Sequence, residues 1–188
     1  MKLTNKFLLA LFAVLFISVT SCKDDDDIVD PPEEELITDL VYTLTSTSGA
    51  TVVLSFSDPD GDGGNAPTIT GGTLSANTTY TGAIVLTNAS ETPAEDITAE
   101  VKEEDEDHQF FFSASSGLNV SFAYADQDAD NNPVGLASTI TTGDASTGTM
   151  TVVLRHEPAK DASGVSDGNI SNAGGETDIE VTFDVTIQ

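Results

Sequence analysis

The two histidines of the chain, His108 and His156, are the residues whose chemistry best suits a transition-metal ion. Each stands at one end of a run in which apolar and polar residues alternate. His108 has the parity of Phe110, and His156 has the parity of Leu154. Side chains of one parity lie on one face of a strand, so both imidazoles are predicted to point toward the protein interior near a strand end.

Glu106 and Glu157 are the carboxylates that lie close to these histidines in the sequence. Two imidazoles and a carboxylate are a suitable ligand set for Zn²⁺ or Cu²⁺. The spacing matches no metal-binding motif, however, and nothing in the sequence shows that the two strands are neighbours. The alternative is that His108 and His156 are separate residues, each hydrogen-bonded or exposed at its own strand end.

Two Asp-rich loops offer a second kind of cation site, because alternate carboxylates can converge on Ca²⁺, which takes about 6–8 oxygen ligands. The first loop resembles the start of an EF-hand loop, but its twelfth position is Ile69 instead of a glutamate, and the second loop has Ala137 there. The alternative is a pair of solvated turns, since Asp, Asn and Gly favour turns. The candidate ligands are Asp58, Asp60 and Asp62 in the first loop and Asp126, Asp128 and Asp130 in the second.

Catalytic signatures are absent from the sequence. It contains no Ser-His-Asp context, no HExxH segment and no phosphate-binding loop, and its only cysteine is Cys22. We therefore predict that the protein is not an enzyme.

The chain from Cys22 onward is strongly acidic. It holds all 32 Asp and Glu residues, whereas Lys2 and Lys6 precede it, which leaves four basic residues and a net charge of −28. Such a surface repels nucleic acid and anionic lipid head groups, so we predict that neither is a partner. It attracts cations, and bound divalent ions would relieve its self-repulsion.

Period-two alternation with Thr and Val enrichment begins near residue 40 and predicts half-buried strands. Clusters of Gly, Asn, Asp and Pro separate these runs and are typical of turns. We predict an all-β domain, either an Ig-like β-sandwich or a small β-barrel of about eight strands. The predicted strands lie near 41–47, 52–56, 79–88, 109–114, 118–124, 135–141, 150–154 and 179–187.

One short helix is predicted inside this domain, over about 93–104. Thr92 suits an N-cap, Pro93 suits a first turn and Glu95 completes a capping box. The acidic run 103–107 places negative charge where the helix dipole is also negative. Either the helix frays there or a positive group lies nearby.

The N-terminus has the pattern of a targeting segment. Two lysines precede a nearly unbroken apolar stretch at 7–19, which suits a signal peptide and is too short for a bilayer span of roughly 20 residues. The following segment, Val19-Thr20-Ser21-Cys22, resembles the lipobox of bacterial lipoproteins. The resemblance implies cleavage of the signal peptide 1–21 and acylation of Cys22, so that lipid chains anchor the protein to a membrane.

Residues 22–38 are rich in acids and proline and are predicted to form a disordered tether. The acidic run at 24–27 resembles the export signal of surface lipoproteins of Bacteroidetes. This resemblance implies an outer-membrane protein that faces the cell surface, and the alternative is the periplasmic face of the same membrane. Residues 39–188 then form a single domain of ordinary size.

Several segments of the domain resemble a group of small flavobacterial outer-membrane lipoproteins, which implies an envelope protein. That group is often labelled as having a type 1 periplasmic binding fold, a doubly wound α/β architecture. This chain lacks the βαβ alternation that such a fold requires, so the all-β prediction stands. The matching segments are Gly71–Leu74, Asn77–Gly82, His108–Phe111, Asn132–Gly135, Leu154–Pro158 and Gly174–Ile179.

Three functions agree with these features. The first is a non-catalytic surface binding module that captures a ligand or docks to an outer-membrane transporter, the latter by analogy with surface lipoproteins of Bacteroidetes. The second is a metal-binding envelope protein, with calcium in the Asp loops or zinc or copper at the two histidines. The third is a structural or adhesive envelope component. A deep apolar pocket would favour the binding module. Two histidines within reach of one ion would favour the metal-binding protein. A closed core without a concavity would favour the structural component.

Overall fold

The described part of the chain forms ten strands in two sheets, which confirms the all-β prediction and favours its sandwich alternative. The structure is a computed structural model that describes residues 35–61 and 63–188. The predicted signal peptide, Cys22, most of the tether and Asp62 lie outside the described residues. The strands are β1 (Asp39–Ser46), β2 (Thr51–Ser57), β3 (Thr68–Thr70), β4 (Gly72–Leu74), β5 (Thr79–Thr87), β6 (His108–Ala114), β7 (Val120–Tyr124), β8 (Ala137–Thr142), β9 (Ser146–His156) and β10 (Glu176–Ile187).

The two sheets enclose one hydrophobic core. The six-stranded sheet has the order β3-β2-β1-β5-β8-β7, and the four-stranded sheet has the order β4-β10-β9-β6. Neighbouring strands are antiparallel except β4 and β10, which are parallel. Leu40 and Tyr42 of β1 are buried in the same core as Leu154 of β9 and Phe183 of β10. Side chains from the inner faces of both sheets therefore fill the core, as in a β-sandwich.

The pairing of β6 with β9 decides where the two histidines lie. His108 stands directly opposite His156 in the register of these antiparallel strands. On its other side β9 pairs with β10, and there the register shifts between Thr177 and Ile179, which leaves Asp178 as an extra residue. Such a bulge re-aims a side chain. Strict alternation would turn Asp178 away from the core that Ile179 faces, but its side chain is fully buried.

Residues 35–38, which the sequence assigns to the tether, pack against the domain. Ile37 belongs to the hydrophobic core. Thr38 is buried, its amide donates a hydrogen bond to the carbonyl of Thr87 at 3.1 Å, and its hydroxyl accepts one from the amide of Ala89 at 2.7 Å. The fold therefore includes Glu35, which lies four positions before the predicted start of the domain.

The helix α1 (Ile97–Glu103) begins four residues later than predicted. The backbones of Asn88 and Glu95 exchange hydrogen bonds of 3.2 and 3.0 Å as an isolated β-bridge, so the segment before Asp96 is extended. Asp96 is the N-cap, and its carboxylate accepts a hydrogen bond from the amide of Ala99. Among the described residues, no helix is long and apolar enough to cross a lipid bilayer.

The acidic run that follows α1 has both features that the sequence offered as alternatives. The helix ends at Glu103, before most of the acids. In addition, the ammonium group of Lys160 lies close by, where it donates hydrogen bonds to the carbonyl of Asp105 and to the carboxylate of Asp128. A cation near the last turn offsets the negative end of the helix dipole.

Replacing Asp96 by alanine is expected to destabilise the domain by about 1 kcal/mol, because the amide of Ala99 loses its acceptor. Urea unfolding measures the change, and Asp96→Ser is the matched control because serine also caps helices well. Equal stability of the two variants would contradict the assignment of Asp96 as the cap.

Candidate metal centre

Four side chains that are far apart in the sequence meet at one end of the four-stranded sheet. They belong to Glu35, His108, His156 and Asp178, and one ligand atom from each lies within 4.8 Å of all the others. The histidines come from facing positions of β6 and β9, the aspartate from the bulge of β10, and the glutamate from the segment before β1. Within residues 35–61 and 63–188, this is the group of His and carboxylate side chains close enough to hold a metal ion.

Both nitrogens of the His108 ring have close polar neighbours. Its Nδ1 lies 3.0 Å from the carbonyl oxygen of Glu104, and since a carbonyl only accepts, this nitrogen is the donor. The Nε2 atom then faces Glu35 Oε1 at 3.1 Å and Asp178 Oδ2 at 3.9 Å. Metal-binding histidines commonly have this arrangement, in which a carbonyl orients the ring and the other nitrogen binds the ion.

The His156 ring packs flat against the His108 ring. The ring centroids are 4.7 Å apart and the planes differ by 13°. His156 is buried, and the chain runs close beside it, because a Cβ on Gly175 would collide with the backbone carbonyl of His156. Gly175 has a positive φ of 66°, so a glycine suits this position in both space and backbone conformation.

The charges of the group support one another in the metal-free protein. Burial lowers the pKa of His108, but its close contact with Glu35, its bond to Glu104 and the charge of Asp178 outweigh burial, and the net pKa is raised. Burial raises the pKa of Glu35, but its close contact with His108, a hydrogen bond from its own backbone amide and the charges of His108 and His156 outweigh burial, and the net pKa is lowered. Without metal, these shifts favour the charged forms of His108 and Glu35, whose buried side chains lie next to one another.

The group nevertheless leaves hydrogen-bonding capacity unused. Oε2 of Glu35 is buried and accepts no hydrogen bond from the described residues. The contact between His108 Nε2 and Glu35 Oε1 is short but lacks the alignment of a hydrogen bond. Buried polar atoms without partners are costly and rare. A bound cation would satisfy both atoms at once.

The carboxylates that the sequence paired with the histidines are not part of this group. Glu106 and Glu157 are exposed, and neither belongs to the cluster of ligand atoms. Proximity in sequence failed here because each is separated from its histidine by the end of a strand. The carboxylates beside the histidines are those of Glu35 and Asp178, and not those of Glu106 and Glu157 as we predicted.

The carboxylates of the second Asp-rich loop accept hydrogen bonds from nearby backbone amides, as is common in turns. Asp126 accepts hydrogen bonds from two backbone amides at 2.7 and 2.8 Å. Asp128 accepts bonds from two loop amides and from the ammonium group of Lys160 at 2.9 Å. Asp130 is exposed. The positive charge beside Asp128 therefore already comes from the protein itself.

The two described aspartates of the first Asp-rich loop, Asp58 and Asp60, have different surroundings. Oδ2 of Asp60 accepts hydrogen bonds from the backbone amide and the side-chain amide of Asn65, at 2.9 and 2.8 Å. Asp58 lines a cleft beside Glu35. Neither loop forms a cluster of ligand atoms among the described residues. Calcium binding at either loop remains a prediction from the sequence.

A cleft of about 740 Å³ opens directly beside the histidine group. Residues 35–37, part of the loop 58–67 and residues 177–180 form its walls. Glu35 and Asp178 belong both to the cleft and to the group. Asp58 and Glu180 add two further carboxylates, so the cleft is strongly acidic.

The chain matches no protein-family model, no curated protein and no solved structure. The functional argument therefore rests on the geometry and the charge of this site.

Proposed function

We propose that this chain is a lipid-anchored outer-membrane protein of the cell surface whose β-domain binds one divalent transition-metal ion. The observation that supports metal binding is the meeting of Glu35, His108, His156 and Asp178 within 4.8 Å. The membrane part of the proposal rests on the lipobox-like segment that ends at Cys22. The accessory role beside an outer-membrane transporter remains a prediction from resemblance.

The donor set favours a transition metal over calcium. Imidazole nitrogens suit Zn²⁺ and Cu²⁺, whereas Ca²⁺ and Mg²⁺ prefer oxygen ligands throughout. The ligands of a tetrahedral zinc ion lie about 3.3 Å apart. The four atoms of the group span up to 4.8 Å, so closing on an ion requires only small rotations of the side chains.

The number of donors favours a non-catalytic role. Zinc sites that catalyse reactions keep one coordination position open for water, whereas structural sites are closed by four protein ligands. Glu35, His108, His156 and Asp178 supply four donors. We therefore propose that the ion is retained or stored by the domain and takes no part in a reaction.

The competing explanation is a buried ion pair that never meets a metal. His108 and Glu35 stabilise one another in the metal-free state, and such pairs occur in proteins without an ion. This explanation predicts the same burial and the same pKa directions. It does not predict a saturable site for zinc.

Calorimetric titration of the full chain with Zn²⁺ separates the two explanations. The chain carries Cys22→Ala, which removes the thiol as a ligand, and excess Mg²⁺ occupies the exposed carboxylates. We expect one saturable site per chain and a raised melting temperature of the chelator-stripped protein on adding zinc. Zinc binding that is absent, or that never saturates, would reject the metal site and leave the buried ion pair.

A further inference from the structure

We infer that the hydrated metal ion reaches the histidine group through the acidic cleft, and that Asp58 and Glu180 steer it there. This inference rests on the proposed metal binding and adds two residues that are not ligands. They belong to the cleft but not to the cluster of ligand atoms.

The arrangement of burial points to this route. His108 is fully buried and His156 is nearly so, and neither lines the cleft, whereas Glu35 and Asp178 belong to both the cleft and the group. On the side of the cleft, the group therefore presents its carboxylate residues and not its imidazoles. Carboxylates exchange readily with the water shell of a divalent ion, so they suit the first contact.

The orientation of Glu35 supports the same route independently of the acidic character of the walls. Its side chain is only 8% exposed, and its buried Oε2 accepts no hydrogen bond from the described residues. Glu35 also lines the cleft. A buried oxygen without a donor at the inner wall of an open cleft is the contact that an arriving cation would make.

Electrostatics gives Asp58 and Glu180 their role. Clefts lined by charge of one sign focus the field and raise the association rate of ions of opposite sign. Most of the acids of this chain act only weakly at the site, because salt screens exposed charges beyond about 8 Å at physiological ionic strength. Asp58 and Glu180 line the cleft itself, so we expect them to act on an ion inside it.

Asp58 and Asp144 provide a matched pair of residues for a test. Asp58 lines the cleft, whereas Asp144 is exposed just before β9, at the opposite end of that strand from His156. Asp58→Asn and Asp144→Asn therefore remove the same charge from two loops. They differ in whether that charge lies at the cleft or far from it.

The experiment is stopped-flow mixing of Zn²⁺ with the full chain carrying Cys22→Ala, followed with a zinc-sensitive dye as competitor. At low ionic strength, Asp58→Asn and Glu180→Gln are each expected to lower the association rate about three- to tenfold. The dissociation rate is expected to stay within about twofold of the parent, because neither residue is a ligand. Asp144→Asn is expected to have the association rate of the parent, and high salt is expected to remove the difference between the variants and the parent.

Each other outcome has a distinct meaning. An association rate that is unchanged in Asp58→Asn would overturn the inference and leave metal binding intact. A faster dissociation with unchanged association would also overturn it, since Asp58 would then be a ligand. A parent protein that binds no zinc would overturn the proposed function and, with it, this inference.

Discussion

Replacing His156 by alanine is expected to weaken zinc binding by at least about 100-fold. The change removes one of two nitrogen donors, and even residues that only orient a ligand contribute about 10- to 100-fold to metal affinity. It also removes the ring that packs against His108, so the remaining imidazole loses its support. Calorimetric titration of the Cys22→Ala chain with and without His156→Ala measures the loss.

The matched control for this prediction is Glu157→Gln. Glu157 is adjacent to His156, is exposed, and lies outside the cluster of ligand atoms. We expect the zinc affinity of Glu157→Gln to equal that of the parent. The zinc affinity of Asp178→Asn is expected to lie between those of Glu157→Gln and His156→Ala. A folded His156→Ala protein with parental zinc affinity would contradict the assignment of the site.

The sequence was sufficient to predict the fold class and the direction of both imidazoles. Period-two alternation depends on local geometry alone, so it identified the long strands and placed His108 and His156 on the core side. The strands β3 and β4 were missed because three residues are too few to show a period. The start of α1 was misplaced because the bridge between Asn88 and Glu95 overrides the local capping signal.

The other half of the candidate metal centre was not predictable from local patterns. Asp178 faces the histidines only because of a bulge, and a bulge adds one residue to a strand without changing the alternation on either side. Glu35 lies in a run of acids whose composition is that of a tether, and only its contact with His108 distinguishes it. Both residues depend on long-range pairing, which one sequence does not reveal.

A bound ion would have a consequence for the whole sandwich. Glu35 leads into β1 of the six-stranded sheet, whereas His108, His156 and Asp178 belong to the four-stranded sheet. The ion would therefore join the two sheets at one end of the sandwich, and would hold the N-terminal segment of the described domain in place. This is the physical reason for expecting a raised melting temperature with zinc.

The ion pair of Lys160 and Asp128 is buried and lies outside the candidate metal centre. The Lys160 side chain is 5% exposed and that of Asp128 is 1% exposed, and their charged atoms are 2.9 Å apart. Lys160 also donates to the carbonyl of Asp105, so it connects the segment after α1 to the loop after β7. Both charges have given up their hydration, and each depends on the other.

Replacing Lys160 by methionine is expected to destabilise the domain by about 3 kcal/mol, because the carboxylate of Asp128 remains buried without its counter-charge. Two backbone amides still bond to Asp128 Oδ1, which keeps the loss near the lower end for a broken buried pair. The double change Lys160→Met with Asp128→Asn removes both charges, and we expect it to regain part of the lost stability. Urea unfolding of the parent, both single variants and the double variant measures the cycle. A loss below about 1 kcal/mol for Lys160→Met would mean that water reaches the pair and that it contributes no more than a surface salt bridge.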